Sequence, residues 1–278
     1  MESEHSEDLT YLEANAIVNW VYRSYRNAEE RMEFTEWLFS YIKDLHEIRN
    51  QIRISRGVAF NKSKVEINFI SSISDVNQLI SFCSSAGQQL FFRGHANANF
   101  QLLPSVMRSE RTKKHESIMY HELLINCPDD FEKCHTHLEK LVQMQHYGLP
   151  TRLLDITRNP LVALFFACES QFESYGELVL ISVEKQLIKY PQSDTISILA
   201  SLPLFSFEKQ RSFKELANDF TIDDKEFNYR ISRLTHEVRL EKPAFRAEIK
   251  REDLLNHFIV YALKNNNRIV KQDGAFIL

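Results

Sequence analysis

Two stretches of this chain gather side chains that could do chemistry. One is Phe92-Arg93-Gly94-His95-Ala96-Asn97-Ala98-Asn99; the other is Gln145-His146-Tyr147-Gly148-Leu149-Pro150-Thr151-Arg152-Leu153-Leu154-Asp155. In the first, Arg93 closes a short apolar run and Gly94 follows it. A guanidinium fork beside exposed backbone N–H groups at a strand end can hold phosphate or carboxylate. The competing reading pairs Arg93 with a buried acid such as Asp155, which would tie two segments together without binding a ligand. The second stretch sets an imidazole (His146), a phenol (Tyr147), a hydroxyl (Thr151), a guanidinium (Arg152) and a carboxylate (Asp155) around a helix end and a Gly/Pro turn. Function concentrates on such loops, although each residue taken singly also fits a satisfied turn position.

Other chemistries find less footing. Cys127, Cys134, His135 and His137 superficially resemble metal ligands, but no Cys-x-x-Cys pair exists and the histidines fall on a helical surface, so no metal is expected. The chain has no Walker loop, no Gly-x-Ser-x-Gly elbow and no His-Glu-x-x-His, which removes the commonest triphosphatase, hydrolase and metalloprotease readings. Lys+Arg number 34 against 38 Asp+Glu, a net charge of −4 that exerts no overall pull on nucleic acid. The basic runs Arg108–Lys114 and Lys264–Lys271 remain able to touch a polyanion, or are simply solvated faces.

These residues need a scaffold, and the composition supplies one. With 278 residues, 44% hydrophobic and 26% charged, the chain can bury a sizeable core as one large domain with an accessory element, or as two small domains. Four scattered cysteines read as reduced thiols of a cytosolic protein. The acidic N-terminus lacks an apolar signal core, and no window approaches the roughly 20 apolar residues of a membrane span; a cytoplasmic protein without membrane contact is expected.

Apolar periodicity predicts two helices between Leu9 and Ile52, broken near Arg26–Glu30, then a linker or exposed loop over Arg53–Val65. A boundary near Lys64–Glu66 divides an N-terminal helical region with its linker (1–64) from a second domain (65–278). After it come a capped helix from Ser72-Ile73-Ser74-Asp75 to Gly87, a strand over Gln89–Gly94, a helix over His115–Asn126 and a second helix from Phe131 to Tyr147 closed by Gly148. Asn159-Pro160 launches the apolar run Leu161–Cys168, expected to be a buried helix. Strands are expected at Glu177–Val183, Phe245–Ile249 and Ala275–Leu278, with helices at Phe213–Asn218, Asp224–His236 and Arg251–Asn265. The chain stops inside an apolar run, which suits either a truncated chain or a strand completed inside a sheet.

Phe92-Arg93-Gly94, then Leu103-Pro104-Ser105 with Arg108, the Gln145–Asp155 segment, Asn159-Pro160 with its apolar helix, and Arg268-Ile269 with Gln272 and Gly274-Ala275-Phe276 together resemble the FRG domain family, named for its Phe-Arg-Gly tripeptide. The resemblance runs from about Ile67 to the last residue. It implies an architecture similar to the ADP-ribosyltransferase fold: α+β, a mixed, split β-sheet core flanked by helices, here with an N-terminal helical extension. It also implies a setting beside bacterial toxin and phage-defence genes. In that superfamily an Arg or His on the first core strand anchors NAD, a Ser/Thr-bearing strand follows, and a later Glu orients the ribose. Arg93 takes the first role and Thr151 the second; the third falls on Lys271-Gln272-Asp273-Gly274, where Gln272 replaces a Glu's hydrogen bonding but not its charge, with Glu248 as another acid.

The expected function is therefore NAD-dependent ADP-ribosyl transfer by an intracellular toxin or anti-phage effector. NAD is the substrate, a protein or a nucleic acid such as RNA is the acceptor, and an antitoxin protein is a further partner. Arg93, Gly94, Tyr147, Thr151 and Arg152 would bind the dinucleotide, and His146, Asp155 and Gln272 would do the chemistry. Two alternatives stand beside it: a noncatalytic module that senses a nucleotide or phosphate, and a nuclease that uses His146.

Overall fold

Side chains at Ser109, Thr136, Asn159, Ser193, Ser206 and Asp223 cap the starts of helices in this chain, and Gly148, in left-handed conformation (φ +80°), follows the end of one. The computed structural model describes residues 58–60, 63–65, 70, 72–83, 87–97, 100–171, 176–246, 248–261 and 273–278. The N-terminal helices expected between Leu9 and Ile52 lie outside the described residues, as do Arg268, Ile269, Lys271 and Gln272. Contacts divide the described chain into two units, one reaching Cys83 and including Asn97–Phe100, the other formed by Ser84–Ala96 and Gln101–Leu278.

In the first unit, β1 (Val58–Phe60) and β2 (Ser63–Val65) pair antiparallel, so a short ribbon stands within the stretch expected to be a linker. Helix α1 (Ile73–Cys83) follows, its first turn closed by a reciprocal pair: the Asp75 carboxylate accepts from the Ser72 N–H (2.9 Å) and the Ser72 hydroxyl accepts from the Asp75 N–H (3.2 Å).

The second unit is α+β, as expected. Its strands are β3 (Gln88–His95), β4 (Leu154–Thr157), β5 (Glu177–Glu184), β6 (Ile188–Lys189), β7 (Ile259–Tyr261) and β8 (Gly274–Ile277), in the order β5-β3-β4-β8-β7-β6. All neighbours run antiparallel except β6 and β7, so the sheet is mixed. β3 pairs with β5 along its whole length but with β4 only at Phe92 opposite Thr157, leaving a seam between β3 and β4. The C-terminal strand β8 is interior, between β4 and β7.

Around the sheet stand α2 (Glu110–Lys114), α3 (Glu116–Asn126), α4 (Pro128–Phe131), α5 (His137–His146), α6 (Pro160–Cys168), α7 (Asp194–Ser201), α8 (Phe207–Asn218), α9 (Asp224–Arg230), α10 (Ser232–Glu241) and α11 (Arg251–Leu255). One core joins Tyr120, Leu141, Met144 and Ile196 of the helices to Val260, Phe276 and Leu278 of the sheet. A second core, of Phe91, Ile156, Ile259 and Ala275, lies within the sheet, and a third packs α8, α9 and α10 around Phe213, Phe227 and Leu234.

Several expectations need correction. The helix expected over Phe131–Tyr147 starts only at His137, Phe131 being the last residue of the short α4. Thr136 and Glu139 form a capping box, with the Thr136 hydroxyl accepting from the Glu139 N–H (3.2 Å) and the Glu139 carboxylate from the Thr136 N–H (2.9 Å), which starts a new helix. The helix expected over Asp224–His236 bends at Ile231, whose buried side chain shares the core with Phe227 and Leu234. The described residues of Phe245–Ile249 form no strand: Asn228 accepts from the Ile249 N–H (2.8 Å) and donates to its carbonyl (3.2 Å), replacing a ladder partner. The helix begun at Arg251 ends at Leu255, because Phe258 exchanges both main-chain hydrogen bonds with Leu278 (3.0 Å each) and leads the chain into β7. Finally, α6 is buried on one side only. Ala163 and Ala167 are buried, while Leu161 and Phe165 are more than half exposed.

Candidate functional site

The site is built where β3 and β4 diverge beyond their single shared pair. Alternation along β3 places Phe91, Arg93 and His95 on one side of the strand, with Phe91 and His95 buried and Arg93 half-buried. The Arg93 Nε donates to His95 Nε2 at 2.9 Å, and His95 Nδ1 lies 2.8 Å from the Glu177 carboxylate on β5. A guanidinium only donates, so His95 Nε2 must carry its lone pair and the ring proton sits on Nδ1, directed at Glu177. Glu177 thus fixes the imidazole, and the imidazole fixes the guanidinium. Across the seam, Arg93 Nη1 donates to the main-chain carbonyl of Asp155 at 2.6 Å.

Arg93 is therefore held by two neutral acceptors, and it makes no ion pair among the described residues. Burial pulls its pKa down, the Asp155 charge acts in the opposite sense, and the positive charge of Arg108 lowers it further. The expected Arg93–Asp155 connection exists, but through the Asp155 backbone; the carboxylate itself accepts from Gln145 Nε2 at 2.6 Å.

Gln145 also orders the turn that precedes β4. Its Oε1 accepts from the buried Thr151 hydroxyl (3.0 Å), and that oxygen accepts from the Leu153 N–H (3.3 Å). The Thr151 main chain is bound in turn by Ser105, whose hydroxyl accepts from the Thr151 N–H (3.0 Å), while the Thr151 carbonyl takes the Val106 N–H (3.2 Å). This docks the turn Ser105–Arg108 against the foot of β4. Arg108, exposed, is anchored by its Nε on the Leu103 carbonyl (3.1 Å).

Other expected site residues are occupied differently. Arg152 is buried and forms a two-pronged ion pair with buried Glu116, Nε to Oε1 at 2.9 Å and Nη2 to Oε2, while Gln210 bonds both partners. Gly94 is where α6 crosses β3: a Cβ there would lie 1.8 Å from the Ala163 carbonyl oxygen, so main-chain atoms of the helix occupy the space beside it. Tyr147 is half-exposed, its ring 6.2 Å from Phe131, and the nearby Asp130 carboxylate raises the pKa of its phenol. His146, at the end of α5, is exposed. Glu248 is exposed beside Ile249, in the segment that Asn228 binds.

The arrangement brings Arg93 to the Asp155 main chain and, through Gln145, the buried Thr151 and Ser105, ties the turn that carries Arg108 to the same segment. The two guanidiniums are groups able to hold an anion; Thr151 is a structural link between them. Among the described residues no cluster of three or more His, Cys, Asp or Glu is placed to hold a metal ion, and no helix is long and apolar enough to cross a membrane.

Residues 88–175 match the family model of the FRG domain. The match supports the FRG family. It is narrower than the span of the sequence resemblance and takes in Arg93, Gly94, His146, Tyr147, Thr151, Arg152 and Asp155. No curated protein and no solved structure matches the chain. Within the FRG segment, His95, Gln145 and Ser105 organise the site, and sequence reasoning gave them no role; Glu177, which fixes His95, lies just beyond it. The available signal was that His95 follows Arg93 at the strand period of two, which puts both side chains on one face.

Proposed function

We propose that this protein is an NAD-dependent ADP-ribosyltransferase that grips the dinucleotide's phosphates at Arg93. The reading rests on one observation: a half-buried guanidinium, oriented by His95 and the Asp155 carbonyl, has no carboxylate partner among the described residues. A buried cation without an ion pair is costly, and a phosphate would compensate it. In the transfer, the bond between the ribose C1′ and the nicotinamide nitrogen breaks, and nicotinamide leaves neutral with the electron pair. An acceptor oxygen or nitrogen bonds to C1′, and its proton passes to a base. The Asp155 carboxylate, exposed and held by Gln145, is an acid whose charge acts on the guanidinium and is the base of this reading, and its charge favours an oxocarbenium-like transition state.

The FRG resemblance supplies the setting, an intracellular toxin or anti-phage effector with a protein or nucleic-acid acceptor. Incubation with NAD labelled in its adenylate half and with cell extract tests the reading. Label transfer with nicotinamide release, lost in Arg93→Ala, is expected; a folded protein that releases no nicotinamide and transfers no label overturns it. One observation favours a second reading, the noncatalytic nucleotide sensor: Thr151 and Arg152 are fully engaged inside the protein. NAD binding without turnover would select it.

A further inference from the structure

We infer that Arg108 is the second arm of a two-guanidinium clamp with Arg93, and that the clamp takes a pyrophosphate; this rests on the dinucleotide reading above and assigns its phosphate contact. The turn carrying Arg108 is fixed to the same segment that Arg93 touches. Ser105 and Val106 bind the Thr151 main chain, Thr151 binds Gln145, Gln145 binds the Asp155 carboxylate, and the Asp155 carbonyl binds Arg93. Both arginines are tethered in the same way. Each uses Nε on a neutral acceptor, His95 Nε2 for Arg93 and the Leu103 carbonyl for Arg108, so each fork is oriented while its charge is left uncompensated. Among the described residues Arg93 Nη2 and both terminal nitrogens of Arg108 make no hydrogen bond or ion pair.

The nearest acid in sequence, Glu110, faces Lys113 (3.4 Å) instead. The charge of Arg108 acts on Arg93 in the direction that opposes its protonation, in keeping with the shared anchorage of the two residues. Two guanidiniums tied to one segment match two linked phosphates, each met by a planar pair of donors, better than they match a single carboxylate. Asp155, the acid among the described residues whose charge acts on Arg93, does not fill this role, because its carboxylate is turned to Gln145. The basic run Arg108–Lys114 thereby divides: Arg108 belongs to the clamp, Lys113 lies over the Phe207 ring and pairs with Glu110, and Arg111 is an exposed cation outside it.

Calorimetric titration of the full chain with inorganic pyrophosphate and with ADP-ribose tests this. Arg108→Ala should weaken both by about tenfold to a hundredfold, the scale of one or two charge-assisted hydrogen bonds. Arg108→Lys, which keeps the charge without the fork, should lose less. Arg111→Ala, which removes the same charge nearby, should change binding by less than about twofold. Wild-type affinity in a folded Arg108→Ala, or an equal loss in Arg111→Ala, overturns the clamp. The two readings fail separately: pyrophosphate binding that needs Arg108 without any nicotinamide release keeps the clamp and removes the transferase, while label transfer indifferent to Arg108→Ala does the reverse.

Discussion

Replacing Gly94 by alanine puts a methyl group where α6 already lies. The added Cβ would stand 1.8 Å from the Ala163 carbonyl oxygen, 2.7 Å from the Ala167 nitrogen and 2.9 Å from the Ala163 carbonyl carbon. Carbon and oxygen rest at about 3.5 Å, so the helix must withdraw by roughly 1.5 Å, and all three obstructing atoms are main chain with no rotamer to yield. A gap of that size forfeits much of the dispersion attraction between α6 and β3. Overpacking typically costs 1–3 kcal/mol, and the rigidity of the obstruction puts Gly94→Ala at about 3 kcal/mol. For a chain of this size that lowers the melting temperature by roughly 6–12 °C, readable by calorimetry or urea unfolding. Gly148→Ala is the comparison. At φ +80° with nothing within 4 Å, its cost is only conformational, about 1–2 kcal/mol. If Gly94→Ala melts within about 0.5 kcal/mol of wild type yet loses NAD binding, the glycine serves ligand approach and the packing argument fails.

Glu116→Ala leaves Arg152 buried and uncompensated, and should destabilise the protein by about 3–5 kcal/mol in urea melts; a loss under about 1 kcal/mol would show that water or Gln210 replaces the carboxylate. Asn159→Ala removes the oxygen that accepts from the Leu161 N–H (3.0 Å), and should cost about 1 kcal/mol with turnover per folded molecule unchanged; selective loss of turnover would contradict a capping role. Burial holds the His137 pKa below its usual 6.5, so the folded state favours the neutral ring. Its contribution is present above the unfolded pKa and is lost as pH falls through the depressed folded value. Stability should drop as pH falls from neutral through 6.5 and below, and drop less in His137→Gln; parallel losses in the two proteins would refute this. Tyr120, whose phenol is 3.1 Å from His137 Nδ1, is pushed well above the ordinary tyrosine range by burial, and should be among the last tyrosines to ionise in an alkaline absorbance titration.

Legibility followed the range of the interaction. β3, β5, β8 and the start of α6 were readable because their signals are local: an apolar run of strand length, or an asparagine before a proline. Thr136-x-x-Glu139 is an equally local signal, and it starts α5 at His137 rather than at the expected Phe131. The failures at Phe245–Ile249 and beyond Leu255 have another origin. There the main chain is satisfied by partners distant in sequence, Asn228 in one case and Leu278 in the other, which no window of neighbouring residues contains.

The same division holds for the site. By itself the sequence determined which chemical groups are available, that Arg93 follows an apolar run of strand length, and that the Gln145–Asp155 segment wraps a helix stop, because these follow from side-chain chemistry, period and turn residues; that the strand continues past Arg93 to His95 it did not. Only the tertiary structure decided how the groups are spent: Arg152 on Glu116, the Asp155 carboxylate on Gln145, the space beside Gly94 on α6, and Arg93 on His95 and a carbonyl. Arginine and aspartate each accept many partners of similar energy, and the choice among them is made by which strands and helices the packed core brings within hydrogen-bond reach.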